Sequence, residues 1–309
     1  MIELHRHVGG SINTTTIQMM KKDLSLSEIQ QALIMNGDDE KTFHKFLSKF
    51  DILDKVEWTR ENIELAVRQV CWDVVKEQIQ YCELKFSIGR YVKDTEMTPE
   101  EVIIYISDIL IDESHKWDVQ IVPVFSLKYE TPREIQSKFA QVINNSKVAE
   151  RIVGLDLVGD EQFFDHRFYK PIFDYWRSFG KGLQAHVGES QDVQNIRLAI
   201  EELGVNRIAH GIKAIEDDNI IKLLIDRNVS LDIAITSNIC TGVVKSLSEH
   251  PVRKLFDMGV PITIGTDDPV ILNTTIRKEF ELLEKAFNFT ADEISLIINN
   301  SAKFAFAFL

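Results

Sequence analysis

The feature of this sequence that most constrains its fold is a repeated pattern in which a short apolar run precedes a longer stretch of helical periodicity. Most of the runs are rich in valine, isoleucine and leucine without alternation, a pattern typical of parallel strands buried on both faces. The runs cover residues 2–8, 81–88, 119–127, 152–158, 182–187, 207–210, 229–235 and 261–265. Eight strands that alternate with helices predict an α/β fold, the (β/α)8 TIM-type barrel.

Two further observations bear on the architecture. A doubly wound sheet of six to eight strands is the alternative, but no GxGxxG pattern follows the first run, which weakens its dinucleotide-binding form. Residues 11–70 are too many for one crossover, so we expect several extra helices there. An excursion after a barrel strand lies over the C-terminal mouth, which favours a lid over added packing helices. Without a linker-like tract, the chain is expected to be a single domain, 1–309.

Composition restricts the classes of partner. The net charge is −13 and no Lys/Arg-rich run is present, which disfavours nucleic acid and anionic membranes as partners. The sequence contains no membrane-spanning apolar segment, and its N-terminus lacks the features of a signal peptide, so we expect a cytoplasmic protein. No CxxC pair occurs, and we interpret the three cysteines as small buried hydrophobic residues: Cys71, Cys82 and Cys240.

Histidines occur in or at the end of three runs. His5 and His7 are two residues apart in the first run and therefore face the same side of a strand. His186 is near the end of the fifth run and His210 ends the sixth. Each histidine by itself is more typical of a hydrogen-bonded buried side chain than of a site. That interpretation is given to the remaining histidines, which fall in helices or loops: His44, His115, His166 and His250.

Carboxylates occupy similar positions. Glu189 follows His186 by three residues, and Asp267 and Asp268 come directly after the eighth run. Adjacent carboxylates at the end of an apolar strand are costly to bury unless a cation compensates them; a solvated turn is the alternative. Because strand ends converge on one mouth of a barrel, three histidines and one aspartate would form a nitrogen–oxygen ligand set that suits zinc and keeps a position open for water.

These residues lie in motifs that resemble the adenosine deaminase family over nearly the whole chain. The first and last parts of the resemblance are residues 3–7 and 299–303, and residues 83–85 and 155–161 resemble its second and fourth strands. The most specific motifs, in the order of the family, are His186-Val187-Gly188-Glu189, Ala209-His210-Gly211, Ser237-Asn238 and Thr266-Asp267-Asp268-Pro269.

The resemblance implies a hydrolytic deaminase that converts a 6-aminopurine to a 6-oxopurine and ammonia, by attack of zinc-bound hydroxide on C6. It implies one Zn²⁺ ion per chain with four ligands: His5, His7, His186 and Asp267.

The resemblance also implies roles for the surrounding residues. Glu189 would be the general acid at N1, and His210 would orient the hydroxide and stabilise the charge that develops on oxygen. Asp268 would accept a hydrogen bond from the attacking water and face N7, while Gly159 would offer its backbone N–H to N3. Three residues match the apolar lid of the family and would exclude water, with a helix core face as the alternative: Phe46, Leu47 and Phe50.

Three positions depart from the family pattern. The residue two positions after His7 is usually polar and meets the 5′ end of the ribose, but here it is Gly9. Glycine leaves space and exposes backbone N–H groups, which suit an anion. We therefore expect a 5′-modified adenosine, with a 5′-deoxy, thioether or phosphate group, to be preferred to adenosine. Arg6 is expected to point away from the metal, and Lys85, where arginine is usual, to form a structural pairing.

Other functions remain open as alternatives. The nearest are an AMP- or dAMP-type deaminase and an adenine deaminase. A second class is another metal-dependent hydrolase of the amidohydrolase group, cleaving an amide or ester, which the position of Glu189 and the Asp267-Asp268 pair disfavour. A third is an inactive deaminase-like binding or signalling protein, which the presence of all seven polar site residues disfavours. The H-x-E and P-C-x-x-C signature of cytidine deaminases is absent.

Overall fold

A computed structural model describes residues 1–37 and 39–307, so the last two residues of the predicted domain 1–309 lie outside the described residues. Its eight parallel strands form one sheet in strict chain order. The strands are β1 (Ile2–His7), β2 (Tyr81–Phe86), β3 (Gln120–Lys128), β4 (Gly154–Val158), β5 (Gly182–Val187), β6 (Arg207–His210), β7 (Ser230–Ile233) and β8 (Ile262–Ile264).

The sheet closes on itself beyond β8. The N–H of His7 donates to the carbonyl of Asp267 at 2.8 Å, and the N–H of Asp267 donates to the carbonyl of His5 at 2.8 Å. The predicted (β/α)8 barrel is therefore confirmed. The doubly wound alternative is wrong, because such a sheet stays open and reverses its strand order at a switch point.

Helices connect the strands around the outside of this barrel. Most are amphipathic and bury one side against the sheet. In the described part of the chain they are α1 (Thr14–Met20), α2 (Leu26–Leu33), α3 (Phe43–Ser48), α4 (Arg60–Lys76), α5 (Pro99–Trp117), α6 (Arg133–Ile143), α7 (Ser146–Ala149), α8 (His166–Arg177), α9 (Gln194–Leu198), α10 (Asp218–Arg227), α11 (Ile235–Cys240), α12 (Val252–Asp257), α13 (Ile276–Phe287) and α14 (Ala291–Phe304).

Local sequence sets several of the helix starts. At α5 the N–H of Glu101 donates to Thr98 Oγ1 at 3.3 Å, and the N–H of Thr98 donates to Glu101 Oε2 at 2.8 Å. This capping box satisfies backbone donors that a helix start leaves unpaired. The predicted run 229–235 is longer than the strand it contains, because β7 ends at Ile233 and α11 begins at Ile235.

The long excursion after β1 divides into two parts. Its last helix, α4, packs beside α5 as an ordinary outer helix of the barrel. The preceding α3 and a short 3₁₀ helix, Lys49–Lys55, border the cavity at the C-terminal mouth with Phe46, Leu47 and Phe50. The excursion therefore forms the expected lid over the mouth.

The C-terminal segment closes the opposite end of the barrel. The ring centroid of Phe306 lies 3.7 Å from the Arg207 guanidinium, and the backbone N–H of Phe306 donates to Glu83 Oε1 at 2.6 Å. A Cβ atom added to Gly182 would lie 2.1 Å from this ring. The absent side chain of Gly182 is thus what lets Phe306 enter the barrel floor.

The expectations for cysteines and the remaining histidines are met only in part. Cys71 and Cys82 are buried, Cys240 is half-buried, and all three are free thiols. The buried-histidine interpretation is wrong for His44 and His115, which are exposed on helix surfaces. None of the described helices is both long enough and apolar enough to span a bilayer.

We expect Gly182→Ala to lower the free energy of unfolding by roughly 1–3 kcal/mol, because the new methyl group overpacks the barrel floor against Phe306. Urea denaturation followed by circular dichroism measures this change. Gly89→Ala is the matched control, since a Cβ atom there has no neighbour within 4 Å. Equal stability of the two variants would contradict the packing argument.

Candidate metal centre and active site

Four of the predicted polar residues meet where β1, β5 and β8 end. His186 Nε2 lies 3.0 Å from His5 Nε2 and 3.3 Å from His7 Nε2. Asp267 Oδ1 lies 3.5 Å from His5 Nε2 and 3.3 Å from His7 Nε2. In a tetrahedral zinc site with bonds of about 2.0–2.1 Å, ligand atoms lie roughly 3.3–3.4 Å apart. The side chains therefore fit a single ion placed between them.

His210 is a fifth donor beside this group. Its ligand atom lies within 4.8 Å of those of His5, His186 and Asp267. However, His210 Nε2 is 3.9 Å from the nearer Asp267 oxygen, whereas His7 Nε2 is 3.3 Å away. The tighter spacing favours the predicted ligand set with His7, and it leaves His210 beside the four ligands.

Two of these residues have an unusual backbone conformation at the mouth of the barrel. His210 has a φ of 61° and Asp267 a φ of 62°, in the left-handed region that residues other than glycine rarely adopt. Such conformations persist where the surrounding structure compensates their cost, often at functional sites. Gly265 makes room next to them, because a Cβ atom there would lie 2.5 Å from the Cβ of His5.

The environment favours the metal-binding forms of these side chains. Burial lowers the pKa of His5, and it lowers that of His7 well below the ordinary histidine range. A neutral imidazole is the form that binds a metal. Ser237 Oγ donates to Asp267 Oδ2 at 2.8 Å, which orients the carboxylate. Three nitrogens and one oxygen form a donor set that fits zinc better than a hard cation such as magnesium.

A second layer of side chains supports His186. Its Nδ1 lies 2.9 Å from the Leu157 carbonyl and 3.2 Å from Asp156 Oδ1. The other oxygen of Asp156 lies 2.6 Å from Lys85 Nζ, which is the structural pairing expected of Lys85. Arg6 points away from the cluster, as expected, and its Nη1 donates to Glu77 Oε1 at 2.9 Å.

Two further carboxylic acids face the cluster. Burial raises the pKa of Glu189 well above the ordinary glutamate range, and the nearby Asp267 carboxylate adds to this effect. Burial and Asp267 also raise the pKa of Asp268. Among the described residues, Asp268 Oδ1 has no hydrogen-bond partner. A buried oxygen of this kind is costly unless a ligand or water pairs with it.

Glycine is required beside Asp268. A Cβ atom added to Gly10 would lie 1.8 Å from Asp268 Oδ1, so any side chain at that position would displace the carboxylate. Gly10 thus supports Asp268 by its small size.

Glu161 holds the loop that carries Glu189, a role that the sequence analysis missed. Its Oε1 accepts from the N–H of Gly188 at 2.6 Å. Its Oε2 accepts from the N–H groups of Glu189, Ser190 and Gln191 at 3.2, 3.0 and 3.0 Å. Glu161 ends the 155–161 motif, but no spacing in the sequence indicates that it binds a loop after the next strand.

A cavity of about 400 Å³ lies above the cluster and ends on His7, His186 and Asp267. Phe46 and Phe50 cover it from the lid, with ring centroids 5.6 Å apart in an edge-to-face arrangement. This volume falls in the range of pockets for small organic ligands.

Two glycines border the cavity. Gly159 has a φ of 101°, and a Cβ atom there would lie 2.3 Å from the Glu130 carboxylate. Gly9 opens toward the rim, since a Cβ atom there would lie 3.6 Å from the Phe50 ring and 3.8 Å from Arg90 Nη1. Each predicted substrate-binding residue therefore lines the cavity. Arg90 also lines it, next to Gly9.

Comparisons with known proteins agree with these motifs. A sequence model described as adenosine deaminase matches residues 1–308. The adenosine deaminase of Clostridium kluyveri is 28% identical, over 99% of this chain and 89% of its own length. That of Proteus mirabilis is 29% identical, over 99% of this chain and 93% of its own length.

Solved structures share the fold. An adenine deaminase from Arthrobacter aurescens has a TM-score of 0.86 at 19% identity, over 99% of this chain and 93% of its own. An amidohydrolase from Burkholderia ambifaria with bound Zn has a TM-score of 0.88 at 17% identity, over 99% and 85%. Arabidopsis ADAL complexed with GMP has a TM-score of 0.84 at 18% identity, over 99% and 92%.

We expect His186→Ala to lose most of the bound metal, because this imidazole lies within 3.3 Å of two other donors of the cluster. Metal per chain is measured by inductively coupled plasma mass spectrometry after dialysis against zinc-free buffer. His115→Ala, which removes an exposed imidazole, is the control and should keep the wild-type content. Full metal retention in the His186 variant would contradict the ligand assignment.

Proposed function

Because the chain belongs to the adenosine deaminase family, we propose that it hydrolyses the 6-amino group of an adenine nucleoside or nucleotide at one Zn²⁺ site. The observation that carries this proposal is the convergence of Glu189, His210 and Asp268 on the His/Asp cluster at the base of one cavity. We also propose that residues 1–309 act as one hydrolase domain, since the lid and the C-terminal segment both belong to the same barrel.

We assign the metal to the cluster described above. His5, His7, His186 and Asp267 would hold it, and the amidohydrolase from Burkholderia ambifaria with bound Zn supports zinc as the ion. Bound there, Zn²⁺ would act as a Lewis acid that lowers the pKa of a water molecule toward about 7.

The environment of Glu189 suits it to donate a proton. Its burial raises the pKa of the carboxyl group and so favours the protonated form, which can give a proton to N1 of the purine. A proton at N1 makes C6 more electrophilic. When water adds to C6, the electron pair of the C6–N1 double bond moves to N1, and the proton there prevents negative charge from developing on the ring. His210, 3.6 Å from Glu189, stabilises charge on the oxygen that is added.

Other residues position the base and exclude water. Asp268 accepts a hydrogen bond from the attacking water and faces N7, and the backbone N–H of Gly159 binds N3. The lid covers the base with apolar side chains, which keeps bulk water away from the reacting atoms: Phe46, Leu47 and Phe50. The partner is accordingly a small purine rather than a nucleic acid polymer.

The rim beside Gly9 favours a phosphate group on the 5′ carbon of the ribose. Gly9 leaves space, and Arg90 Nη1 borders that space while its Nε binds Asp54 Oδ1 at 2.7 Å. A guanidinium has five N–H donors, so Arg90 can bind a phosphate without releasing Asp54. The nucleotide bound to Arabidopsis ADAL supports this assignment. We therefore propose adenosine 5′-monophosphates as preferred substrates over adenosine.

We expect Glu189→Gln to lower kcat by roughly 10²–10⁴-fold, because the amide cannot supply the proton at N1. Ammonia release and the ultraviolet absorbance of the purine measure turnover. Metal content should stay at the wild-type level, and Glu201→Gln, at an exposed helix position, should keep full activity. Activity close to wild type in the Glu189 variant would remove it from the proposed role.

The 5′ group is tested by comparing kcat/KM for AMP, dAMP, adenosine, 5′-methylthioadenosine and adenine. We expect the monophosphates to be the best substrates. Arg90→Gln should lower kcat/KM for AMP by roughly 10- to 100-fold, the loss of a charged hydrogen bond, and leave that for adenosine nearly unchanged. A clear preference of the wild-type enzyme for adenosine would exclude the phosphate assignment.

A further inference from the structure

We propose that His250 is a positioning residue for the deamination, acting through Asn238 to fix the proton of His210 on Nε2 and to orient Glu189. We name these two side chains the His250–Asn238 relay. The proposal rests on the functions proposed above for Glu189 and His210, and its experiment includes a measurement that does not depend on turnover. His250 lies between β7 and β8, far in sequence from the residues that it serves.

The relay begins at a backbone donor. The N–H of Val252, the first residue of α12, lies 3.1 Å from His250 Nδ1. A helix leaves its first N–H groups without partners inside the helix, and an N–H can only donate. Nδ1 must therefore accept. Burial lowers the pKa of His250 to about 4, so the ring is neutral near pH 7 and its single proton lies on Nε2.

Asn238 transmits this orientation. His250 Nε2 lies 3.2 Å from Asn238 Oδ1, so the N–H of His250 requires the oxygen of the amide to face it. The amide nitrogen then faces the opposite direction. Asn238 Nδ2 lies 3.2 Å from Glu189 Oε1 and 3.1 Å from His210 Nδ1. Its two hydrogens thus bind one atom of each residue, and Asn238 itself is fully buried.

The relay decides the tautomer of His210. Because Asn238 donates to Nδ1, the proton of a neutral His210 lies on Nε2. That nitrogen faces the reacting centre, 3.6 Å from Glu189 Oε2 and 3.9 Å from Asp267 Oδ2. The opposite tautomer would bring two N–H groups together at 3.1 Å. His210 is therefore presented as a hydrogen-bond donor to the oxygen that is added at C6, rather than as a proton acceptor.

The relay also constrains the proposed general acid. Glu189 Oε1 is held by Asn238, so Oε2 is the oxygen left to carry a proton toward the purine. Without a donor at His250 Nε2, the amide of Asn238 can turn over and offer its oxygen to Glu189 and His210. Such a turn would exchange a donor for an acceptor at both residues.

The relay is tested with a pair of substitutions in the zinc-loaded enzyme. His250→Leu fills the space without a donor, whereas the amide nitrogen of His250→Gln can reach the position of Nε2. We expect His250→Leu to lower kcat by roughly 10- to 100-fold, as loss of a supporting hydrogen bond does in metal sites, with little change in KM for AMP. His250→Gln should restore most of that loss. Wild-type kcat in the leucine variant, or an equal loss in both variants, would overturn the proposal.

A second measurement needs no turnover, and its decisive result comes from the wild-type protein. Nitrogen-15 NMR of the zinc-loaded wild-type protein, labelled on histidine, distinguishes a proton on Nδ1 from one on Nε2. We expect the Nε2–H form for both His250 and His210, and a mixture for His210 in His250→Leu. A proton on Nδ1 of His210 in the wild type would overturn the relay. If the deaminase assignment is wrong, the enzyme turns over none of the purines tested. That outcome does not depend on which tautomer His210 adopts, so it is distinct from failure of the relay.

Discussion

The closure of the barrel between β1 and the residues after β8 is the constraint on which the site depends. The backbone of Asp267 pairs with His5 and His7 in two 2.8 Å hydrogen bonds. The same three residues carry three of the four side chains that meet in the cluster, and His186 supplies the fourth. Barrel closure and the geometry of the proposed metal site therefore depend on the same backbone pairing. A shift in strand register would separate the ligands and open the sheet.

The charged side chains below the cluster are tolerated because they form ion pairs. Lys85 and Asp156 form an ion pair beneath His186, and Glu83 and Arg207 form another at the barrel floor. Breaking a buried pair on one side leaves an uncompensated charge, which costs several kcal/mol. Asp268 differs from these pairs, because its Oδ1 has no hydrogen-bond partner among the described residues and the residue lines the cavity. An unpaired carboxylate oxygen beside the cavity marks where a substrate or water belongs.

The sequence alone predicted the barrel and most residues of the site, because local sequence patterns indicate both. Buried parallel strands leave apolar runs, and polar residues directly after such runs reach the same mouth. Glu161 and the His250–Asn238 relay had no such pattern. Glu161 binds N–H groups about 30 positions away, and His250 is fixed by the N–H of a helix whose position depends on the packing of α12.

The sequence by itself determined the order of the eight strands and the residue types available for chemistry, since these follow from the apolar runs and the polar positions along the chain. Its motifs indicated the family by resemblance. Only the tertiary structure decided which of five donors lie close enough to share an ion, that Gly9 borders Arg90, and that Asn238 Nδ2 lies 3.1 Å from His210 Nδ1. The physical reason is that distances, burial and hydrogen-bond direction are set between elements far apart in sequence, and no local pattern records them.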